Sequence, residues 1–159
     1  MAGIAARLNP VKDIATLIRG FAKAHRAFPA LRLLIAGDGE EMANLKQLAA
    51  DLGVAKEVCF AGWISDTDSF YNALDINTLT SISETFPYAL TEGARAGLPT
   101  ISSKVGGVSY LIDHGSNGFL FPPGEDQALA DHLLTLARDP HLRKTMGQRL
   151  YEKAKGNSL

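Results

Sequence analysis

The sequence predicts a doubly wound α/β domain, a parallel sheet with helices packed on both faces. Short apolar runs of strand length alternate with amphipathic segments along all 159 residues. One run, "LRLLIAG" at 31–37, is nearly continuous in apolar residues, as in a strand buried on both faces of a parallel sheet. The connections between runs are short, so right-handed crossovers must carry the helices to both faces. A hydrophobic content of 46% and a charged content of 21% belong to a globular chain, and the length suits one domain, residues 1–159, with an ordinary core.

Each element has its own local warrant. "IAA" at 4–6 ends the first strand, and an amphipathic helix follows from about Ile14 to His25. After "LRLLIAG" a helix runs from about Glu41 to Leu52, with Gly53 as the residue that lets the chain leave it. "EVCFAG" is the next strand, then a short helix around Asp68–Leu74 and the strand "INTLT". A helix opens near Pro87 and ends at Gly97. "PTISS" and "NGFLFPP" supply the last two strands, and helices at 125–137 and 140–153 close the chain.

Composition excludes several functions. A net charge of −1 argues against a nucleic-acid binder that works by neutralising phosphates. The end is more basic, with Arg138, Arg143, Lys144, Arg149, Lys153 and Lys155 against Asp139 and Glu152. A solvated helix face explains it more simply than an anionic membrane or a partner. Cys59, in the apolar run "EVCFAGW", reads as a buried core thiol, and a single cysteine suits a reducing compartment such as the cytoplasm. No apolar stretch is long enough to span a bilayer, and "MAGIAARLNPVKD" lacks the apolar region of a signal peptide. His25, His114, His132 and His141 fall at no metal-ligand spacing and read as structural or surface residues.

In such sheets ligands bind beyond the carboxyl ends of the strands. There lie the loops Arg7–Lys12, Gly37-Asp38-Gly39, Ala61–Ser65, Ser81–Pro87 and Lys104–Val108. In "SETFPYALTEGARAGLP" Thr85 is a candidate N-cap, with Pro87 near the first helical position. The N–H groups of Phe86, Tyr88, Ala89 and Leu90 would then form an anion site suited to phosphate. Glu84 precedes that site and Glu92 leans back toward it. A carboxylate beside a phosphate pocket should serve hydroxyls, which it accepts strongly. A nucleotide sugar offers hydroxyls on both sides of its diphosphate: Glu84 would hold the sugar and Glu92 the ribose. On spacing alone, a loop acid and an acid favouring the positive half of a helix explain the pair equally well.

"ARLNPVKD", "LIAGDGEE", "SETFPYALTEGARAGLPTISSKVGG", "SNGFLFPPGE" and "LARDPHLRKTMG" together resemble the donor-binding C-terminal half of retaining glycosyltransferases. The family is group 1 of the GT-B fold, marked by E-x7-E, and the resemblance runs from residue 4 to about 150. It implies one Rossmann-like half of a GT-B enzyme. It also implies that Arg7 and Lys12 hold the donor diphosphate, that Glu84 contacts the donor sugar and that Glu92 binds the ribose. The base pocket would lie at Gly62-Trp63-Ile64, with Trp63 over the base; an exposed interdomain tryptophan is the alternative. Glu84, Arg7 and Lys12 are thus the candidate catalytic residues, and two cations would neutralise the leaving diphosphate without a metal.

The chain departs from the family at Thr85, where glycine is common, and at Ser109-Tyr110, where many members read Pro-Glu. The family's N-terminal acceptor-binding half is absent, so an excised, inactive domain is expected. The full-length enzyme would then serve a glycan, lipid or other acceptor in the cytoplasm, peripheral to the membrane. A nucleotide-sugar epimerase and a non-catalytic binding module are the alternatives. A hydrolase would leave Arg7 and Lys12 without a role. Asp66-Thr67-Asp68 spells a possible metal and nucleotide-sugar motif, but at a helix start acids cap the first turn. "GDGE" at 37–40 lacks the third glycine of a dinucleotide fingerprint.

Overall fold

The computed structural model describes residues 1–85 and 87–156. A six-stranded, wholly parallel sheet runs through them in the order β3-β2-β1-β4-β5-β6. The strands are β1 (Ala2–Ala5), β2 (Leu33–Ala36), β3 (Val58–Gly62), β4 (Ile76–Leu79), β5 (Thr100–Ser103) and β6 (Gly118–Phe121). The helices are α1 (Ile14–Ala27), α2 (Met42–Asp51), α3 (Thr67–Asn72), α4 (Tyr88–Arg95), α5 (Asp126–Arg138) and α6 (Pro140–Gly156). Single 3-10 turns occupy Pro10–Lys12 and Val108–Tyr110. Every expected strand and helix is present.

Strand alternation divides the core. Ile4, Leu33, Ile35, Ile76 and Ile101 pack against Leu17, Ile18 and Phe21 of α1 and Leu129 and Leu133 of α5. The opposite face carries α3 and the turn after it, through Phe70, Tyr71 and Leu74, and α4 and α6, through Leu90, Ala94 and Leu150. Gly53 leaves α2 with a left-handed φ of 75°, and Val54 N–H donates back to the Ala49 carbonyl, closing the helix as a Schellman turn.

Two expectations fail. Cys59 is exposed, not buried. β3 is an edge strand, so alternation buries Val58 under α2 and turns Cys59 outward on a face that lacks full cover. Thr85 does not cap α4. Pro87 is the N-cap, extended at φ −83° and ψ 96°, and the helix begins one residue later at Tyr88 without a side-chain cap.

Three of the six basic residues from Arg138 onward are committed to the fold. Arg143 donates to the Leu136 and Ala137 carbonyls at the end of α5, Arg149 to the Ser116 carbonyl, and Lys153 pairs with Asp113 at 2.9 Å. Among the described residues, no helix is long and apolar enough to cross a membrane.

Candidate functional site

Strand order reverses between β1 and β4, and at such a switch point the following loops part and leave a crevice. The β1–β4 ladder holds only two residue pairs, Ala2 with Ile76 and Gly3 with Asn77. The loop leaving β1 carries Arg7 and Lys12; the loop leaving β4 carries Glu84. Across the crevice, Lys12 Nζ donates to Glu84 Oε2 at 2.9 Å, joining residues 72 positions apart. Both side chains are half-buried, at 27% and 16% exposure, so the pair is better shielded than a surface bridge.

The backbone around this pair is over-determined. Asn9 accepts from Lys12 N–H and starts the 3-10 turn that lifts Lys12 toward the crevice. Thr80 Oγ1 donates to the Lys12 carbonyl at 2.8 Å, and Ile82 N–H donates to the Val11 carbonyl. Ser81 Oγ donates to Glu84 Oε2 at 3.1 Å, and Ser103 Oγ, from the end of β5, donates to the Ser81 carbonyl at 2.7 Å. Gly106 lies against Glu84 with φ 50°, and a methyl group there would overlap the Glu84 carbonyl oxygen. Sequence reasoning gave none of these supporting residues a role. The signal available was a run of small hydroxyl residues at two strand ends, Thr80-Ser81 and Ser102-Ser103.

Arg7 lies earlier on the loop that carries Lys12. It lines a cavity of about 330 Å³ with Gly37, Asp38, Trp63, Ile64 and Thr67, which unites the ends of β1, β2 and β3. The "GDG" stretch shapes this wall. A side chain at Gly37 would overlap the Ala6 carbonyl, and Leu8 N–H donates to the Asp38 carbonyl. The glycine therefore serves close approach of two loops. Trp63 is 76% exposed. It also lines, with Ile64, a second cavity of about 480 Å³ running under α3 past Leu34, Ala61 and Phe70.

Glu92 lies on α4 in a third cavity, about 400 Å³, shared with Asp68, Tyr71, Asn72 and Arg95. Burial and the nearby Glu92 charge push the Tyr71 hydroxyl well above the usual tyrosine range. Among the described residues no hydrogen bond or ion pair links Glu92 to Glu84, Arg7 or Lys12. The first turn of α4 offers fewer donors than expected, because Leu90 N–H closes onto the Pro87 carbonyl at 3.0 Å. Pro87 is buried and Ala89 half-buried at this end, Tyr88 is exposed, and Phe86 lies outside the described residues.

Asp66 is a helix cap. It accepts from Ser69 N–H at 3.0 Å and Ser69 Oγ at 2.7 Å, which hold its carboxyl below the usual carboxylate range. Among the described residues no group of three or more His, Cys, Asp and Glu side chains is placed to hold a metal. The arrangement sets Lys12 against a half-buried carboxylate across the switch point, and Arg7 of the same loop lines a cavity that holds an aromatic ring from the end of β3. It suits an elongated ligand with an anionic centre, hydroxyls at one end and a planar group at the other.

Residues 1–153 match the family described as glycosyl transferases group 1. N-acetyl-alpha-D-glucosaminyl L-malate synthase of Bacillus anthracis is 32% identical over 142 residues, covering 89% of this chain and 37% of that protein. The Anabaena protein Alr3699/HepE, solved in complex with UDP-glucose, superposes with a TM-score of 0.91 at 31% identity, over 98% of this chain and 43% of that one. The C-terminal domain of a glycosyl transferase group 1 family protein, LpcC, from Francisella tularensis superposes at 0.90 with 26% identity, over 98% of this chain and 84% of that one. The chain spans about two fifths of the length of the curated relatives it matches.

Proposed function

The chain belongs to the glycosyl transferases group 1 family, and from that premise we propose that it is the donor-binding half of a retaining glycosyltransferase that uses a uridine diphosphate sugar. The observation that carries the proposal is the Lys12–Glu84 pair spanning the β1/β4 switch point, with Arg7 on the same loop as Lys12. A diphosphate between Arg7 and Lys12 would be neutralised as it leaves, while Lys12 offsets the charge of Glu84 so that a carboxylate is tolerated nearby. Glu84 would then accept hydroxyls of the donor sugar. Glu92 would take the ribose, and Trp63 with Ile64 the base. The relative bound to UDP-glucose supports the choice of uridine.

The reaction would pass through an oxocarbenium-like state, as in glycoside hydrolysis, with the protein's share falling on the departing diphosphate. The acceptor, a glycan or a lipid, would meet this half at the carboxyl ends of the strands, in an enzyme that also contains an acceptor-binding half. The test is calorimetric titration of the chain with UDP, GDP, ADP and UDP-glucose. UDP should bind most tightly among the diphosphates, and Glu84→Gln should weaken UDP-glucose more than UDP. Absence of binding by every diphosphate would overturn the reading.

A further inference from the structure

We propose that Ser81 is a positioning residue that holds the Glu84 carboxylate for the donor sugar while Lys12 is engaged by the diphosphate. The inference rests on the donor-binding reading above. Glu84 Oε2 receives both donors, Lys12 Nζ at 2.9 Å and Ser81 Oγ at 3.1 Å, whereas Oε1 makes no hydrogen bond among the described residues. One carboxylate oxygen is thus fixed by the protein and the other is left for a ligand.

The two donors differ in stiffness. Lysine is a point charge on a four-carbon stem with three N–H groups, and an arriving diphosphate would draw it. Ser81 is 4% exposed, one bond from a backbone whose carbonyl is held by the fully buried Ser103. Its neighbour Thr80 is held on the Lys12 carbonyl. A hydroxyl anchored in this way keeps the carboxylate plane in place when Lys12 turns to the phosphate. Without it, Glu84 would follow the lysine or rotate to solvent, and Oε1 would lose its aim.

The experiment is the ratio of UDP-glucose to UDP affinity, measured by calorimetry for the wild-type chain, Ser81→Ala, Ser81→Thr and Glu84→Gln, with UDP-N-acetylglucosamine run in parallel. Loss of a hydrogen bond to a charged group predicts that Ser81→Ala weakens nucleotide-sugar binding about tenfold. UDP affinity should stay within about twofold, and Ser81→Thr should restore the ratio. A purely structural role would lower both affinities together, and that result overturns the proposal. If Glu84→Gln changes the ratio and Ser81→Ala does not, the positioning role fails while the donor reading stands. If Glu84→Gln leaves the ratio unchanged, or neither nucleotide sugar binds, the donor reading itself fails and takes this role with it.

Discussion

Arg7 and Lys12 are five positions apart, and the fold gives them different neighbours. Arg7 is exposed at the rim of its cavity, whereas Lys12 is half-buried against Glu84. Either change to Ala should weaken UDP binding by roughly 1.5–3 kcal/mol, as for a charge-assisted hydrogen bond. Their effects on stability should separate them. Arg7→Ala should leave the unfolding free energy within about 0.5 kcal/mol of wild type. Lys12→Ala strands a half-buried carboxylate and should cost about 1–3 kcal/mol; urea denaturation of the two variants decides. Gly106→Ala tests the same site from its other side. The new methyl must push on the Glu84 carbonyl from a residue at φ 50°, so stability should fall by about 1–3 kcal/mol and the preference for UDP-glucose over UDP should shrink. An unchanged preference would mean that this loop does not fix Glu84.

At the scale of elements, α4 meets β4 through a polar contact as well as through apolar packing of Leu79 with Leu90 and Ala94. The fully buried Asn77 donates to the Ala89 carbonyl at 3.2 Å, and its amide fills the space where a side chain at Gly93 would lie. Helix propensity alone favours Gly93→Ala by about 1 kcal/mol, but overpacking costs about 1–3 kcal/mol, so the substitution should destabilise. Adding Asn77→Ala should recover part of that loss. A double variant no more stable than Gly93→Ala alone would place the strain elsewhere.

The packing of α5 on β6 brings a pH dependence. His132 stacks on Phe119 at 4.5 Å, and His114 accepts from Leu120 N–H through Nδ1. Burial and the neighbouring His114 push the His132 imidazole below its ordinary value of 6.5, against smaller upward effects from Leu120 and Asp131. A lowered value in the folded state means that the unfolded chain binds the proton first. This contribution is therefore complete above about pH 6.5 and is lost as pH falls through the depressed value. His132→Phe keeps a stacking ring without the proton. Its unfolding free energy should decline less between pH 7 and pH 5 than that of wild type, as denaturant titrations at each pH would show.

Over the whole molecule, the loop that leaves β1 at the switch point supplies the cations, Arg7 and Lys12. UDP affinity should therefore survive a chelator, since Asp66 is occupied in capping α3; binding that falls in chelator and returns with magnesium would overturn this. The sequence by itself determined the alternation of elements, the parallel sheet and the loops that face the ligand, because periodicity and turn residues are local properties. It also marked Arg7, Lys12, Glu84 and Trp63, through side-chain chemistry at strand ends and through resemblance. It could not tell that Cys59 faces outward, since an apolar run looks the same on an edge strand as on a central one. Nor could it tell that Pro87, not Thr85, is the N-cap of α4, which shows only in the extended backbone of Pro87. The pairing of Lys12 with Glu84, and the hold of Thr80 on the Lys12 backbone, were decided only when β1 and β4 became neighbours. Hydrogen bonds between residues 72 positions apart leave no pattern in a linear chain, and a serine that orients a carboxylate is spelled like any other serine.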